Sequence, residues 1–390
     1  MKVIVGVASF FFICKAIDCQ NISYVPGDLT VRENGLLLST GLKSKIIAES
    51  GKPLPVTDQK FITLPDGAAC FPTNEGGWVY VINSEDSDKK GGVGAIYFNS
   101  TGQMVDYKVI LKNTSRNCSG GKTPWNTWVS CEESRGGQCF ECDPNGIHPA
   151  TKTVLGDKKG GRFEAVAYDE EFNSCVTEDS AKGALRRYTP DKGELEDALN
   201  TTKYWKVLQG NNGSIDYLVL NPDTKYSGSF KWTSNHNVGR SSARKHFPNT
   251  EGIEYYNRKI YFTAKKNKVL IALNLQSGFY EATSTTGGLF DGQPDQIKVP
   301  TKHIKHLGGT DIMHFTEDFR SSGIHTRDLK NGKFFTVAHS LSHKSETTGI
   351  AFSPDMRHFY FCIQKAGLCF DITRVDGLGF GNRTLDVVYW

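Results

Sequence analysis

The sequence lacks an excess of charge of either sign. Its 46 lysine and arginine residues against 42 aspartate and glutamate residues leave a net charge of +4, and no long basic tract stands out. Because nucleic-acid-binding proteins carry a basic patch or stripe, a nucleic-acid partner is not predicted. Methionine is also scarce, with four residues beside 40 glycines, and the many β-branched and aromatic residues favour short strands and turns over helices.

Long apolar runs are missing from most of the chain. The run from Val3 to Ile13 follows Lys2 and is too short to span a bilayer, so residues 1–16 are predicted to be a secretory signal peptide with cleavage near Ala16. No later stretch is long and apolar enough for a transmembrane helix. We therefore predict a soluble mature protein, residues 17–390, that is secreted to the extracellular medium or the cell surface; its oligomeric state is left open.

Glycosylation signals and cysteine number support this export. The chain has six Asn-x-Ser/Thr triplets, headed by Asn21, Asn99, Asn113, Asn200, Asn212 and Asn382. A seventh, at Asn117, directly precedes Cys118 and is expected to stay unmodified if Cys118 lies in a site. Loss of Cys14 with the signal leaves nine cysteines, an odd number.

One thiol is therefore left over in an oxidising compartment. If it is Cys118, the other eight would form four disulfides of unknown connectivity: Cys19, Cys70, Cys131, Cys139, Cys142, Cys175, Cys362 and Cys369. An ordinary unpaired or intermolecular cysteine is the alternative for Cys118.

Several common catalytic motifs are absent or incomplete. "SGGKT" (119–123) ends like a phosphate-binding P-loop, but the earlier glycine and the strand-to-helix context are missing. No G-x-S-x-G element of a serine hydrolase is present. Cys139 and Cys142 form a lone C-x-x-C, which indicates disulfide partners rather than a zinc site.

A weak internal repeat sets the predicted architecture. Each unit has an acidic or polar residue, a short strand, a turn, and further strands. The units lie at 61–86, 117–133, 160–190, 249–278, 293–319 and 345–374. Six such units predict an all-β fold, a single six-bladed β-propeller with loop insertions, whereas a pair of β-sandwiches would not explain why the units resemble one another. Helix is predicted only at 191–200 and in part of the loop 236–248.

Acids recur at corresponding places in these units. Asp66, Glu164, Glu251, Asp295 and Glu346 precede first strands, and Glu85, Glu133, Glu178, Asp179 and Glu317 lie at the ends of second strands. At the mouth of a propeller channel these carboxylates would repel one another unless cations were bound. Carboxylates suit Ca²⁺, whereas a thiolate from Cys118 would select a transition metal. The alternative is that the acids cap turns and face solvent.

The segments that carry these residues resemble the PhoX-type alkaline phosphatase family. The likeness runs from about Asp66 to Thr373 and includes "NCSGGKTPWNTWVSCEE", "GRFEAVAYD", "VTEDSAKGALRRYTP", "TEGIEYY" and "ETTGIAFSPDMRHFYFCIQKAG". The resemblance implies a six-bladed propeller with iron and calcium at the channel mouth, where phosphate monoesters are hydrolysed.

The resemblance also implies roles for individual residues. Cys118 would be an iron-bridging thiolate and, with Glu133, part of the catalytic site. Glu178 and Glu251 would join Glu133 as carboxylate ligands. The remaining candidate metal or neighbouring positions are Glu164, Asp179, Asp295, Glu317 and Glu346. Arg162 or Arg187 would contact the phosphate group through two hydrogen bonds.

The chain departs from the bacterial members of this family. Its signal has no paired arginines, and it has "PNTEGI" where they often have Arg-Pro-Glu-Asp. The sequence of the shared segments resembles that of a secreted eukaryotic branch of the family.

The sequence therefore predicts a secreted, metal-dependent phosphomonoesterase that acts on small external phosphate esters. One alternative is a calcium-dependent lactonase or phosphotriesterase-like propeller, whose site would not use a thiolate. The other is an extracellular binding propeller that holds structural calcium and has no activity.

Overall fold

The computed structural model describes residues 29–210, 212–300 and 312–380, and the backbone of 388–389. The predicted signal peptide, Cys19, Asn21 and Asn382 lie outside the described residues. The fold is all-β, as predicted. None of the helices in the described ranges has the length and apolarity that a membrane crossing requires.

The strands are numbered in chain order. They are β1 Leu29–Glu33, β2 Leu36–Ser39, β3 Leu42–Glu49, β4 Pro65–Pro72, β5 Trp78–Ser84, β6 Gly91–Phe98, β7 Met104–Thr114, β8 Asn117–Lys122, β9 Trp128–Gly137, β10 Cys139–Cys142, β11 Thr151–Lys152, β12 Gly161–Tyr168, β13 Ser174–Glu178, β14 Arg186–Thr189, β15 Ser214–Pro222, β16 Ser227–Thr233, β17 Thr250–Tyr256, β18 Lys259–Ala264, β19 Val269–Asn274, β20 Phe279–Ser284, β21 Gln293–Lys298, β22 Ile312–Asp318, β23 Gly323–Asp328, β24 Phe334–Ser340, β25 Thr347–Phe352, β26 Phe359–Ile363, β27 Leu368–Arg374 and β28 Val388–Tyr389.

The strands form consecutive antiparallel meanders. They are β4 to β7, β8 to β11, β12 to β16, β17 to β20, β21 to β24, and β25 to β27 followed by β3. Their first strands contact one another in the cyclic order β4, β8, β12, β17, β21, β25 and back to β4. These first strands therefore surround a common axis.

Strand β3 joins the two ends of the described chain. Its residues Leu42–Glu49 pair antiparallel with Leu368–Arg374 of β27, so the last meander is completed by an early strand. This pairing fixes the last meander against the first part of the chain, because backbone hydrogen bonds hold the two segments in register.

Two helices are inserted between strands. Helix α1, Lys192–Thr201, begins after Asp191, whose side chain accepts hydrogen bonds from the backbone amides of Gly193 and Glu194. Helix α2, His236–His246, begins after Asn235 in the same way. Both helical predictions are confirmed. Short 3₁₀ turns are formed by Val154–Gly156, Tyr204–Leu208 and Lys265–Asn267.

The middle strands are buried on both faces, which explains their continuous apolar sequences. In β5, Val79 and Val81 pack in one cluster with Trp128 of the next meander. Their neighbour Tyr80 points to the opposite face and packs with Tyr360 of β26. Because side chains alternate along a strand, one strand contributes to the apolar layers on both of its sides.

The cysteines depart from the expectation of four disulfides. Within the described residues one disulfide is present, between Cys362 and Cys369, which lie directly opposite each other on β26 and β27. The free thiols are Cys70, Cys118, Cys131, Cys139, Cys142 and Cys175. Cys70, Cys142 and Cys175 are buried in three different apolar clusters, so they cannot pair with one another.

Asn117 is fully buried, unlike several other glycosylation candidates. Its side chain donates to Ser130 Oγ at 2.8 Å and accepts from Thr114 Oγ1 at 2.5 Å. Asn113, Asn200 and Asn212 are exposed. The folded chain therefore offers no room for a glycan at Asn117, whereas it does at the exposed positions.

A pair of substitutions tests how much the apolar layers contribute to stability. Phe361 is fully buried between β27 and the neighbouring meander, whereas Phe279 is 55% exposed. We expect Phe361→Ala to lower the free energy of unfolding by about 3–5 kcal/mol, because it removes apolar contacts and leaves a cavity. Phe279→Ala should change it by less than about 0.5 kcal/mol. Urea unfolding measures both, and equal effects would contradict this assignment of the core.

Candidate metal centre

Each first strand carries a register irregularity near its start. The strands concerned are β4, β8, β12, β17, β21 and β25. In each of them, two consecutive residues have no pairing partner on the second strand of the same meander, and we call these residues skipped. The first skipped residues are, in the same order, Asp66, Cys118, Glu164, Glu251, Asp295 and Gly349. A bulge of this kind redirects side chains next to functional sites. Five of the six positions therefore present a carboxyl or thiol group at one end of the common axis.

The sixth position is a glycine. Gly349 has a φ of 67°, a conformation that favours glycine, and its amide donates to Gln296 Oε1 at 2.8 Å. Glu346, which the sequence repeat aligned with the other acids, lies before β25. Burial, followed by the charges of Asp295 and Asp318, raises the pKa of the Glu346 carboxyl group, which is therefore within electrostatic reach of the centre.

The donor atoms form two groups. Asp66, Glu85 and Cys118 bring one donor atom each to within 4.8 Å of the others. Glu164, Glu251 and Asp295 do the same. The Cys118 thiol donates to Glu164 Oε1 at 3.0 Å and so links the two groups. The first group has the mixed sulfur and oxygen chemistry that suits a transition metal, and the second has the all-oxygen chemistry that suits calcium.

Burial of these groups shows that they fit bound cations. Glu164, Glu251 and Asp295 are 1%, 2% and 4% exposed, and Asp295 Oδ1 is buried without a hydrogen-bond donor. Burial raises the pKa of the Cys118 thiol, and the neighbouring Asp66 and Glu164 carboxylates raise it further. Burial and then Glu251 raise the pKa of Glu164 in the same way. Cations would relieve this repulsion and complete the contacts of the buried oxygen.

The second strands add a further ring of charged residues. Glu85, Asp179, Lys265 and Asp318 lie at or just beyond the ends of β5, β13, β18 and β22, and Glu133 lies within β9. Successive side chains on a strand point to opposite sides, so the adjacent Glu178 and Glu317 point elsewhere.

Glu178 and Glu317 are held by other partners. Glu178 lies 3.8 Å from Arg186 and 3.9 Å from Arg240. Glu317 accepts from the Gly292 amide at 2.6 Å and also contacts His325 at 3.0 Å. Both were predicted as metal-ligand candidates, and neither is among the residues of the two donor groups.

Lys265 is a cation built into the acidic mouth. Its Nζ lies 3.1 Å from both Glu251 Oε1 and Asp318 Oδ2, and 3.8 Å from Asp179 Oδ2. Burial alone would lower the pKa of Lys265, but these carboxylates and Asp295 outweigh burial and raise it. The lysine therefore stays charged and neutralises part of the acidic group.

Arginines line the outer part of the mouth. Arg116 contacts both Glu85 and Glu133, and Arg162 Nη1 lies 3.5 Å from Glu133 Oε1. Both side chains are partly exposed. Arg187 instead pairs with Asp216 at 3.4 Å and stacks on Trp232, so it does not join these residues.

Several residues of this centre were missed by sequence reasoning. Asp66 and Glu85 were recognised as recurring acids without being assigned a metal, and Arg116, Lys265 and Asp318 were not considered. A signal existed for Asp318, because Thr-Glu-Asp occurs at 177–179 and again at 316–318. Lys265 carried no such signal, since it is a base at a position where other units have acids.

Comparisons with known proteins give one family match and several similar folds. Residues 98–246, which include Cys118, Glu133 and Glu164, match the family described as alkaline phosphatase PhoX. The structure of Pseudomonas fluorescens PhoX in complex with vanadate, a transition state analogue, superposes with a TM-score of 0.69 at 14% identity, over 93% of this chain and 99% of that one. No curated protein matched the sequence.

Two further solved structures are less similar to this chain in fold and sequence. A protein of unknown function from Bacteroides thetaiotaomicron has a TM-score of 0.51 at 10% identity, over 85% of this chain and 76% of that one. A gluconolactonase from Xanthomonas campestris has a TM-score of 0.47 at 12% identity, over 90% and 97% of the two chains, which is too distant to bear on this protein's function.

The fold is of the propeller type, and it carries two candidate metal-binding groups at one end of its axis. The resemblance to the PhoX-type alkaline phosphatases is confirmed, and the comparisons support a PhoX-like alkaline phosphatase.

The buried acids predict a pH-dependent response to calcium. Burial raises the pKa of Asp295 to about 7, although Lys265 lowers it, and burial followed by Asp295 raises the pKa of Glu346 to about 8. The folded metal-free protein therefore binds protons more tightly than the unfolded chain. The resulting stabilisation is complete below about pH 4 and is lost as the pH rises through about 7 to 8.

Calcium bound to these carboxylates would replace the protons, so we expect it to raise the melting temperature more at about pH 8 than at about pH 5. Thermal unfolding with either EDTA or calcium at the two pH values measures this difference. A calcium effect that is equal at both values, or larger at low pH, would show that these carboxyl groups do not titrate as described.

Proposed function

We propose that this protein is a secreted PhoX-like phosphomonoesterase that hydrolyses external phosphate esters. The observation that carries the proposal is the ring of bulged residues, which puts the Cys118 thiol beside four buried carboxyl groups at one end of the axis, where Glu85 from the end of β5 adds a fifth. The cyclic contacts of the first strands support a six-bladed propeller, in which each meander is one blade.

We assign the two donor groups to different metals. Iron would be held by Cys118 with Asp66 and Glu85, because a thiolate prefers a transition metal. Calcium would be held by Glu164, Glu251 and Asp295, whose donors are all oxygen. When bound, these cations would neutralise charge that develops on the phosphoryl oxygens.

The chain's own cations would bind and orient the phosphate group. Arg116 and Arg162 lie at the outer rim, where their guanidinium groups can each donate two hydrogen bonds to phosphate oxygens. Glu133 contacts both arginines and is 5% exposed, so it is a positioning residue for them. This arrangement would hold an anionic substrate against the metal centre.

Metal analysis joined to an activity assay tests the proposed function. The purified protein should contain iron and calcium and hydrolyse p-nitrophenyl phosphate. Cys118→Ser should lose iron and lower kcat about a hundredfold or more, because a charge-stabilising group is removed. Cys175→Ser is the matched control, since Cys175 is a free thiol buried in an apolar cluster away from the centre.

Three other outcomes would decide against the proposal. Calcium alone, unchanged by Cys118→Ser, would make the thiol structural. Lactone hydrolysis without phosphatase activity would favour the lactonase-like alternative. Bound calcium with no activity on any of these substrates would favour an extracellular binding module.

Separate substitutions of Arg162 and Arg187 test which of the two arginines contacts the phosphate group. We expect Arg162→Ala to raise KM for p-nitrophenyl phosphate about tenfold, because a charge-assisted contact to phosphate is lost. Arg187→Ala should leave KM unchanged, since its guanidinium is engaged by Asp216 and Trp232. Steady-state kinetics of the two variants measures this, and a larger KM effect at Arg187 would reverse the assignment.

A further inference from the structure

A cavity lies at the end of the axis opposite the metal centre. Its volume is about 310 Å³, and all six first strands contribute to its wall through residues that follow the first skipped position of each bulge. The skipped acids of the same strands lie at the metal centre. The cavity therefore occupies the other end of the axis and contains none of the metal-centre residues.

Gln296 separates the cavity from the metal centre. Its Nε2 donates to Asp66 Oδ1 at 2.7 Å, while its Oε1 accepts from the Gly349 amide at 2.8 Å. Gln296 is 4% exposed and also lines the cavity. A ligand in the cavity would therefore meet the far side of this amide rather than the metal ligands.

Three charged side chains line the cavity and leave it with a net positive charge. Lys298 Nζ pairs with Glu254, at 2.9 Å from Oε2 and 3.2 Å from Oε1. Lys122 is the second cation, and no carboxylate in the described part of the chain lies within ion-pair distance of it. One positive charge therefore remains without a counterion.

The surroundings of Lys122 leave hydrogen-bonding capacity unused. Its Nζ donates to the Cys70 carbonyl at 3.2 Å and lies 4.8 Å from the centre of the Phe71 ring. An ammonium group has three donors, so two remain for a ligand in the cavity. Burial, followed by the charge of Lys298, lowers the pKa of Lys122 to about 8, which is the response of a cation that lacks a nearby anion.

The remaining wall suits a small organic anion. The Thr123 hydroxyl lies beside Lys122 in sequence, and the aromatic residues Trp128, Tyr168 and Tyr255 supply apolar surface. Lys122 and Thr123 end the "SGGKT" segment, which the metal centre does not use. A ligand with an oxyanion head and a short body would match both parts of the wall.

We propose that this cavity is a second binding site, for a small ligand with a phosphate or carboxylate group held by the Lys122 ammonium. The site is independent of the metals and of the proposed phosphatase activity. Lys298 adds positive charge from the opposite wall, and Glu254 limits the affinity by neutralising Lys298.

NMR of the full-length protein labelled with ¹³Cε-lysine tests the site. Inorganic phosphate and acetate are titrated separately at about pH 7, where Lys122 is largely protonated. We expect a saturable shift of the Lys122 signal with at least one anion, and a higher pKa of Lys122 in the bound state. A response to phosphate alone identifies a phosphate ligand, and a response to acetate alone identifies a carboxylate ligand.

Substitutions with opposite expected effects make the test specific. Glu254→Gln should tighten binding of the same anion severalfold or more, since it leaves Lys298 without its counterion. Lys298→Met should weaken binding, and the exposed Lys89→Met should leave it unchanged.

The absence of a saturable shift with both phosphate and acetate would overturn the proposal, as would tighter binding in Lys298→Met. Isothermal titration of Lys122→Met with the responding anion provides a second measurement. We expect the number of anions bound per chain to fall by about one relative to the wild type, with any binding at the metal centre retained. An unchanged number would also overturn the proposal.

Discussion

Neutralisation of buried carboxyl groups is the constraint on which this structure depends. The ring around the axis holds acids that are almost inaccessible to water, and isolated charges in such surroundings are costly. Lys265 neutralises part of the ring from one side, and Arg116 does so at the rim. Cations would complete the two remaining donor groups, and stability would then be coupled to metal binding.

The backbone supplies the geometry of this centre. A bulge at the same place in every first strand turns one side chain per meander towards the axis. Since each meander is packed on both faces by its neighbours, these bulges are held in fixed positions. The centre therefore forms because the same bulge recurs in every first strand. The donor group that each meander contributes depends only on the side chain at its bulge.

Much of this could be predicted from the sequence. The all-β class, both helical insertions, and the gathering of Cys118 with recurring acids followed from the repeat and its turn residues. Strand register was harder to predict. The repeat aligned Glu346 with the acids of the ring, whereas the strand pairing puts Gly349 at the bulged position of β25. A one-residue difference reverses the direction of a side chain, which separates Glu317 from Asp318. Of the four disulfides expected if Cys118 stayed free, the described residues contain one, and the sequence could not show which cysteines pair.

The central claim is that the Cys118 sulfur and carboxylate oxygens hold one metal ion together. X-ray absorption at the iron edge tests this most directly, because sulfur and oxygen scatter differently in the first coordination shell. The account predicts a sulfur ligand in the wild-type protein that is absent from Cys118→Ser. An iron shell made only of oxygen and nitrogen in the wild-type protein would contradict it.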